Sequence, residues 1–243
     1  MTVTVGFLHP GHWSACFANS LLDMMFYDAA NNQNVVSNPH GLASQECVAG
    51  NIHSGRNKIA TDVIGGNTEW LFMIDSDMGF AADTVDRLIE AADPTERPIV
   101  GGLAFACKSD GAGDLFARRY RACPTVYQMY ETDTEVGFVP MFDYPRDQLV
   151  EVDGTGMACV LIHRSVLETI YADHGDRWFN PIEVPKGPTG RTEFGEDLSF
   201  CIRARAAGFP IFIHTGIKTT HDKGGVFLDE GTYDLQQAMK AIA

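Results

Sequence analysis

Two aspartates one residue apart, Asp75 and Asp77, follow directly on the apolar run Trp70-Leu71-Phe72-Met73-Ile74. Where a chain leaves the pleated geometry of a strand, two such carboxylates can converge on one divalent cation. Hard cations such as Mg2+ and Mn2+ take oxygen ligands and usually complete their shell with substrate phosphates. A second acidic pair, Glu196-Asp197, follows Gly195 at the start of a helical pattern. There the helix dipole favours an anion and can keep a carboxylate ionised for general-base work. His221, after Lys218-Thr219-Thr220, can supply a third metal ligand through a neutral imidazole nitrogen. Each feature also has a plainer reading, as a strand-end turn, a helix cap and an ordinary histidine.

The elements that must hold these residues are written in the periodicity. Trp70 to Ile74 is continuous rather than alternating, as in a central parallel strand covered on both faces, and ligands of open α/β sheets bind beyond the carboxyl ends of such strands. Thr2 to Leu8 predicts a first strand, and Ser14 caps a helix with Phe17, Leu21, Met24 and Met25 on one face. Val35-Val36 is the candidate second strand. A helix over Arg56 to Ile64 turns Ile59 and Val63 inward and stops at Gly65-Gly66. Asp83 caps a helix bearing Val85, Leu88, Ile89 and Ala92, which Pro94 ends, and a strand runs from Pro98 to Phe105.

The second half is less regular. Residues 107 to 150 read as antiparallel strands and loops at the edge of the sheet, Ala158 to His163 as a strand, and Ser165 as a helix start. The prolines and glycines of 173 to 193 predict a mobile loop. The helix after Gly195 carries Leu198, Cys201, Ile202 and Ala206 on one face and closes at Gly208, before a strand from Pro210 to His214. This alternation predicts an α/β fold.

Composition bounds the function. A chain of 243 residues that is 45% hydrophobic can bury a full core in one domain without disulfide or metal staples. Its six cysteines are dispersed without a C-x-x-C pair, which predicts free buried thiols. The longest apolar runs fall far short of the roughly 18 residues of a membrane span. With no basic leader before the first strand, the expected location is the cytoplasm, or the host cytoplasm for a viral source. A net charge of −14 opposes general nucleic-acid binding, so DNA would be contacted only through a local patch of Arg118, Arg119 and Arg121.

In the order and spacing of its motifs the chain resembles GT-A glycosyltransferases, which transfer a sugar from a nucleotide-sugar donor. The resemblance runs through Gly55-Arg56-Asn57, the Trp70 to Asp77 segment, Val152-Asp153-Gly154-Thr155-Gly156, Gly195-Glu196-Asp197-Leu198-Ser199-Phe200 and His221. It implies a single Rossmann-like GT-A domain, α/β, with a mostly parallel central sheet flanked by helices and a small antiparallel edge region. Residues 1–106 would form the nucleotide-sugar half. Residues 107–243 would form the acceptor half, with the C-terminal metal ligand and a lid.

The same resemblance implies roles. Asp77 and His221 would hold Mn2+ or Mg2+ against the donor diphosphate, with Asp75 at the ribose or a metal-bound water. Asp197 would be the catalytic base of an inverting reaction, with Glu196 beside it. Pro10, His12, Arg56, Asn57, Asp75 and Ser76 would bind the donor, a UDP-sugar by default. Asp153, Gly154, Thr155 and Gly156 would face sugar and acceptor, with Trp178 as a stacking surface. Residues 173 to 193 and 222 to 231 would be lids, bringing Lys186, Arg191 and Lys223 to phosphate oxygens. The acceptor stays open among protein, glycan, small metabolite and modified DNA base, and so does the oligomeric state. Two alternatives accompany this reading, a non-catalytic nucleotide-sugar or carbohydrate-binding protein and a sugar-nucleotide nucleotidyltransferase. The second is disfavoured because Pro10-Gly11-His12-Trp13 carries no lysine or arginine.

Overall fold

The computed structural model describes residues 1–47, 51–109, 120–186 and 190–242. The chain opens with β1 (Val3–His9), α1 (Ala15–Ala30), β2 (Leu42–Glu46), α2 (Ile52–Gly65) and β3 (Trp70–Ile74). It continues through β4 (Met78–Gly79), α3 (Thr84–Ala91), β5 (Ile99–Leu103), β6 (Phe105–Ser109), β7 (Tyr120–Pro124), β8 (Tyr127–Glu131) and β9 (Val136–Pro140). Then come β10 (Leu149–Val152), β11 (Cys159–His163), α4 (Arg164–His174), β12 (Ile182–Lys186), β13 (Gly190–Phe194) and α5 (Glu196–Ala206). The chain ends with β14 (Ile211–Lys218), β15 (Thr220–Asp222), β16 (Phe227–Leu228) and α6 (Glu230–Ile242).

Among the described residues, the central sheet has seven strands in the order β10-β14-β5-β11-β3-β1-β2. It is mostly parallel: β2, β1 and β3 run together, as do β5 and β14. β11 lies antiparallel between β3 and β5, and β10 antiparallel on β14. All five residues of β3 are buried because the sheet is covered twice. Leu71 and Met73 pack with Ile59, Val63, Val166 and Leu167 under α2 and α4. Trp70, Phe72 and Ile74 pack with Phe17, Leu21, Val85 and Leu88 under α1 and α3. Each such side chain contributes roughly 1.5–3 kcal/mol by leaving water. Hairpins β6–β7, β8–β9 and β12–β13 form the antiparallel additions. No helix among the described residues is long and apolar enough to cross a membrane.

Several sequence expectations are corrected. The second strand is Leu42–Glu46, not Val35-Val36. The buried Asp28 carboxylate accepts from the backbone N–H groups of Asn34, Val35 and Val36 at 2.8, 3.0 and 2.8 Å, which removes the donors a strand would need. The strand expected over Pro98 to Phe105 divides at Ala104, where β6 leaves the sheet to pair with β7. On α5 the buried arc is Ser199, Phe200, Cys201 and Ala204, rather than Leu198, Ile202 and Ala206.

The largest correction concerns 173 to 193, which along its described length carries the end of α4 and the hairpin β12–β13 rather than an irregular loop. Trp178 and Phe179 are both 0% exposed and belong to the core. Trp178 Nε1 donates to Leu167 O at 2.8 Å and its rings stack on Tyr171, while Phe179 stacks on Phe200 at 4.8 Å. A residue so enclosed cannot offer a face to a sugar, so Trp178 is a packing residue. Trp178→Ala should lower unfolding free energy by about 3–5 kcal/mol in urea titrations. A surface-exposed sugar platform would tolerate the change within about 0.5 kcal/mol.

Candidate functional site

The site begins where β3 stops. The Met78 N–H donates to Asp75 O at 3.0 Å, closing a tight turn over Asp75-Ser76-Asp77. The chain then enters β4, which pairs with β15 so that Met78 faces His221 and Gly79 faces Thr220. Asp222 N donates to Asp77 O at 2.8 Å. Gly79 is required by close approach, because a Cβ there would lie 2.3 Å from Cys16 Sγ on α1.

This short ladder carries His221 across 144 positions of sequence to set its Nε2 3.1 Å from Asp77 Oδ2. The other ring nitrogen, Nδ1, lies 2.7 Å from Phe105 O. A carbonyl oxygen only accepts, so Nδ1 donates to Phe105 O and Nε2 is the nitrogen that faces the Asp77 carboxylate. A third group converges here, since Lys223 Nζ donates to Asp77 Oδ2 at 2.7 Å. Burial alone pushes the Asp77 carboxyl up, but the hydrogen bonds and charges of His221 and Lys223 outweigh it and hold its pKa at about 2.

An oxygen and a nitrogen about 3 Å apart match neighbouring ligands on an octahedral cation with bonds of about 2.0–2.1 Å. The spacing of Asp77 and His221 is therefore compatible with two ligands of a divalent metal, while among the described residues no three His, Cys, Asp or Glu side chains converge as a metal site. Asp75 is brought to the same cleft but turned away from His221. Its Oδ1 accepts from Arg56 Nη2 at 3.0 Å.

Arg56 forms the floor. It is 3% exposed and meets three carboxylates: Asp75, Glu196 at 3.3 Å, and Asp197 in direct contact. Gly195-Glu196-Asp197 begin α5 as the sequence predicts, and both acids sit in its first turn. Arg56 was expected to bind the donor diphosphate. Its guanidinium is largely enclosed among the acids, yet Arg56 is also one of the residues that line the cleft over it. The cleft above holds about 450 Å³ and is lined by His9, Pro10, Cys47, Asp75, Asp77, Glu196, Asp197 and Lys223 among others. A second cleft, of about 490 Å³, lies on the other side of Asp77 between Pro10, His12, Ser14, Ser76 and Lys223.

Other predicted residues lie elsewhere. Asn57 Oδ1 accepts from Phe179 N at 2.9 Å and its Nδ2 donates to Asn180 at 2.7 Å, so its carboxamide anchors the 178–180 segment rather than a donor. Asp153 pairs with Arg205 at 2.8 Å and accepts from Met129 N, while Thr155 is buried. A Cβ on Gly154 would come within 2.8 Å of Phe138 Cε1, so its missing side chain makes room for packing, not for sugar. Gly156 alone of this group adjoins the acids, 3.5 Å separating Asp197 Oδ2 from where its Cβ would stand. Arg118 and Arg119 lie outside the described residues, while Arg121 is on β7. Trp13, between His12 and Ser14 of the second cleft, is 45% exposed and packs edge-on against Phe7 at 5.2 Å and Phe17 at 5.8 Å.

No family model matches the sequence, and no curated protein matches it either. Solved structures do resemble the fold. A197 from STIV superposes with a TM-score of 0.54 at 14% identity, covering 96% of this chain and 92% of that one. GalNAc-T7, solved with UDP, GalNAc and Mn2+, superposes with a TM-score of 0.51 at 9% identity over 88% of this chain, which spans 42% of its length. The chain has a GT-A-like α/β fold.

Two outcomes follow from the site. Arg56→Met should destabilise the protein by about 3 kcal/mol or more in denaturant titrations, because it leaves clustered carboxylates without their cation. Asp77 has a folded pKa depressed from 3.8 to about 2, so its contribution is full above 3.8 and lost as pH falls to about 2. Stability of Asp77→Asn should therefore fall less steeply than wild type across that window, measured by urea unfolding at fixed pH steps.

Proposed function

We propose that this chain is a metal-dependent glycosyltransferase that moves a sugar from a nucleotide-diphosphate sugar, a UDP-sugar by default, to an acceptor hydroxyl. The observation that carries this reading is the meeting of Asp77 and His221 beyond the carboxyl end of β3, in a cleft shared with Glu196 and Asp197. The GT-A-like fold supports it, as does a structural neighbour solved with UDP, GalNAc and Mn2+. Residues 1–106 would supply the donor half and residues 107–243 the acceptor half.

Charge supports a divalent cation independently. Asp75, Asp77, Glu196 and Asp197 line the cleft against Arg56 and Lys223, an excess of two negative charges when His221 is neutral. A diphosphate entering alone would be repelled. Asp77 and His221 would hold Mn2+ or Mg2+, which when bound acts as a Lewis acid on the charge that develops on the leaving diphosphate.

The chain's own groups do the rest. Arg56 engages Asp197 Oδ1, which orients the carboxylate and leaves Oδ2 on the Gly156 side to accept the acceptor hydroxyl's proton. Glu196, tied to the same guanidinium, borders that position and contacts acceptor or sugar. Pro10, His12 and Ser76 line the second cleft and would contact the donor.

Nucleotide sugars should raise the melting temperature only together with Mn2+ or Mg2+, and nucleoside diphosphate release should need both. Asp77→Ala should abolish release by 100-fold or more, about 2.7 kcal/mol of lost transition-state stabilisation, while circular dichroism stays unchanged. Undiminished release in Asp77→Ala or in chelator would sink the proposal. Donor binding with no release under any condition would favour the non-catalytic binding protein.

A further inference from the structure

Lys223 occupies Asp77. Its Nζ donates to Oδ2 at 2.7 Å, the same oxygen that lies 3.1 Å from His221 Nε2. A metal bound to that oxygen at about 2.1 Å would have the ammonium within about 5 Å, two like charges side by side in a partly desolvated cleft. We infer that Lys223 is a tethered cation competing with the divalent metal for Asp77, so that the metal must displace it and nucleoside diphosphate binding rewards the displacement. This rests on the metal-dependent reading above.

The surroundings let the ammonium leave without disturbing the ligands. His221 and Asp222 are fixed to β4 by the ladder and by Asp222 N donating to Asp77 O. Beyond that stem the chain turns sharply. Gly224 and Gly225 both have left-handed backbones, with φ of 69° and 93°, and the turn is tied by Lys223 N to Val226 O and by Gly225 N to Asp222 Oδ1, each 2.8 Å. Lys223 is one third exposed, so its four-carbon stem can swing while the turn stays closed.

Its place also says where it goes. Lys223 lines both clefts that flank Asp77, and so stands where they meet. A diphosphate entering either cleft offers the ammonium a new anion at the moment a metal takes the old one. Metal alone must evict Lys223 without that compensation. Metal and diphosphate therefore tighten each other, and Lys223 supplies part of the coupling.

The test measures Mn2+ binding, not turnover. Free Mn2+ is followed by electron paramagnetic resonance during titration of the full chain, with and without UDP, for wild type, Lys223→Met, Lys223→Arg and Asp77→Asn. Without UDP, Lys223→Met should bind Mn2+ roughly two- to fivefold more tightly than wild type, the scale of a partly exposed ion pair, with Lys223→Arg close to wild type. UDP should tighten Mn2+ binding less in Lys223→Met than in wild type. Unchanged or weaker Mn2+ binding by Lys223→Met, in protein that melts at the wild-type temperature, overturns the inference. So does Lys223→Arg binding as tightly as Lys223→Met, because the charge would then be irrelevant. Asp77→Asn separates the two readings. Loss of Mn2+ binding in that variant keeps the metal site even if Lys223 proves inert, whereas retention at wild-type affinity removes the metal reading and the competition with it.

Discussion

The cleft depends on one buried cation. Arg56 lies at the N-terminal end of α2 with its guanidinium enclosed, and it gathers Asp75 from the end of β3 together with Glu196 and Asp197 from the start of α5. Four acids could not share this volume without it, because like charges at such separations repel by several kcal/mol wherever water is partly excluded. A lysine could not substitute. The planar guanidinium presents five donors in a fixed fork and can serve several carboxylates at once, whereas an ammonium is a point charge. The apolar core supports the same group from below, with Arg56 lying 6.0 Å over the Phe179 ring, which stacks on Phe200 of α5. Even the preceding residue belongs to the device. A Cβ on Gly55 would stand 2.4 Å from Cys47 Sγ and 2.8 Å from Leu8 Cδ2, so α2 reaches β1 closely enough for Arg56 to sit under the acids only because Gly55 has none.

The second constraint is the ladder of two residue pairs between β4 and β15. It is too short to be a stable unit alone. It forms because β4 follows a tight turn at the end of the most buried strand, and because β15 continues the chain from β14, itself paired with β5. His221 is therefore placed by the core of the sheet rather than by a loop. Its Nδ1 contact with Phe105 O then fixes both ring orientation and tautomer. An outer hydrogen bond of this kind is how proteins set which imidazole nitrogen faces a ligand.

What the sequence made legible was local. The continuous run Trp70 to Ile74, the abrupt acids after it, the Ser14 cap and the Gly195-Glu196-Asp197 helix start all announce themselves within a few residues, and each lies where the reading put it. What stayed hidden was non-local pairing. Asp28 captures three amides of the turn at 34–36 and so forbids the strand that Val35-Val36 suggested. Trp178 and Phe179 sit in a proline- and glycine-rich stretch that looks solvated, yet the gap between α4 and α5 draws them inward. Arg56 and Asn57 are adjacent and were read alike. One is neutralised by acids from three chain positions and the other is consumed by Asn180 and Phe179, partners more than 120 residues away.

The acidity of the chain acquires a meaning here that a net charge of −14 does not carry. Most of the surplus is spread over the surface, where salt screens it beyond about 10 Å. The cleft is different, because its acids are partly desolvated and fixed by buried partners, so their field cannot be relaxed by side-chain motion. Under the proposed reading, this acid surplus would favour a divalent cation over a diphosphate. Arg56 sets the size of that surplus. The guanidinium, largely enclosed at the floor of the cleft, holds these acids together and sets the charge that any ligand entering the cleft meets.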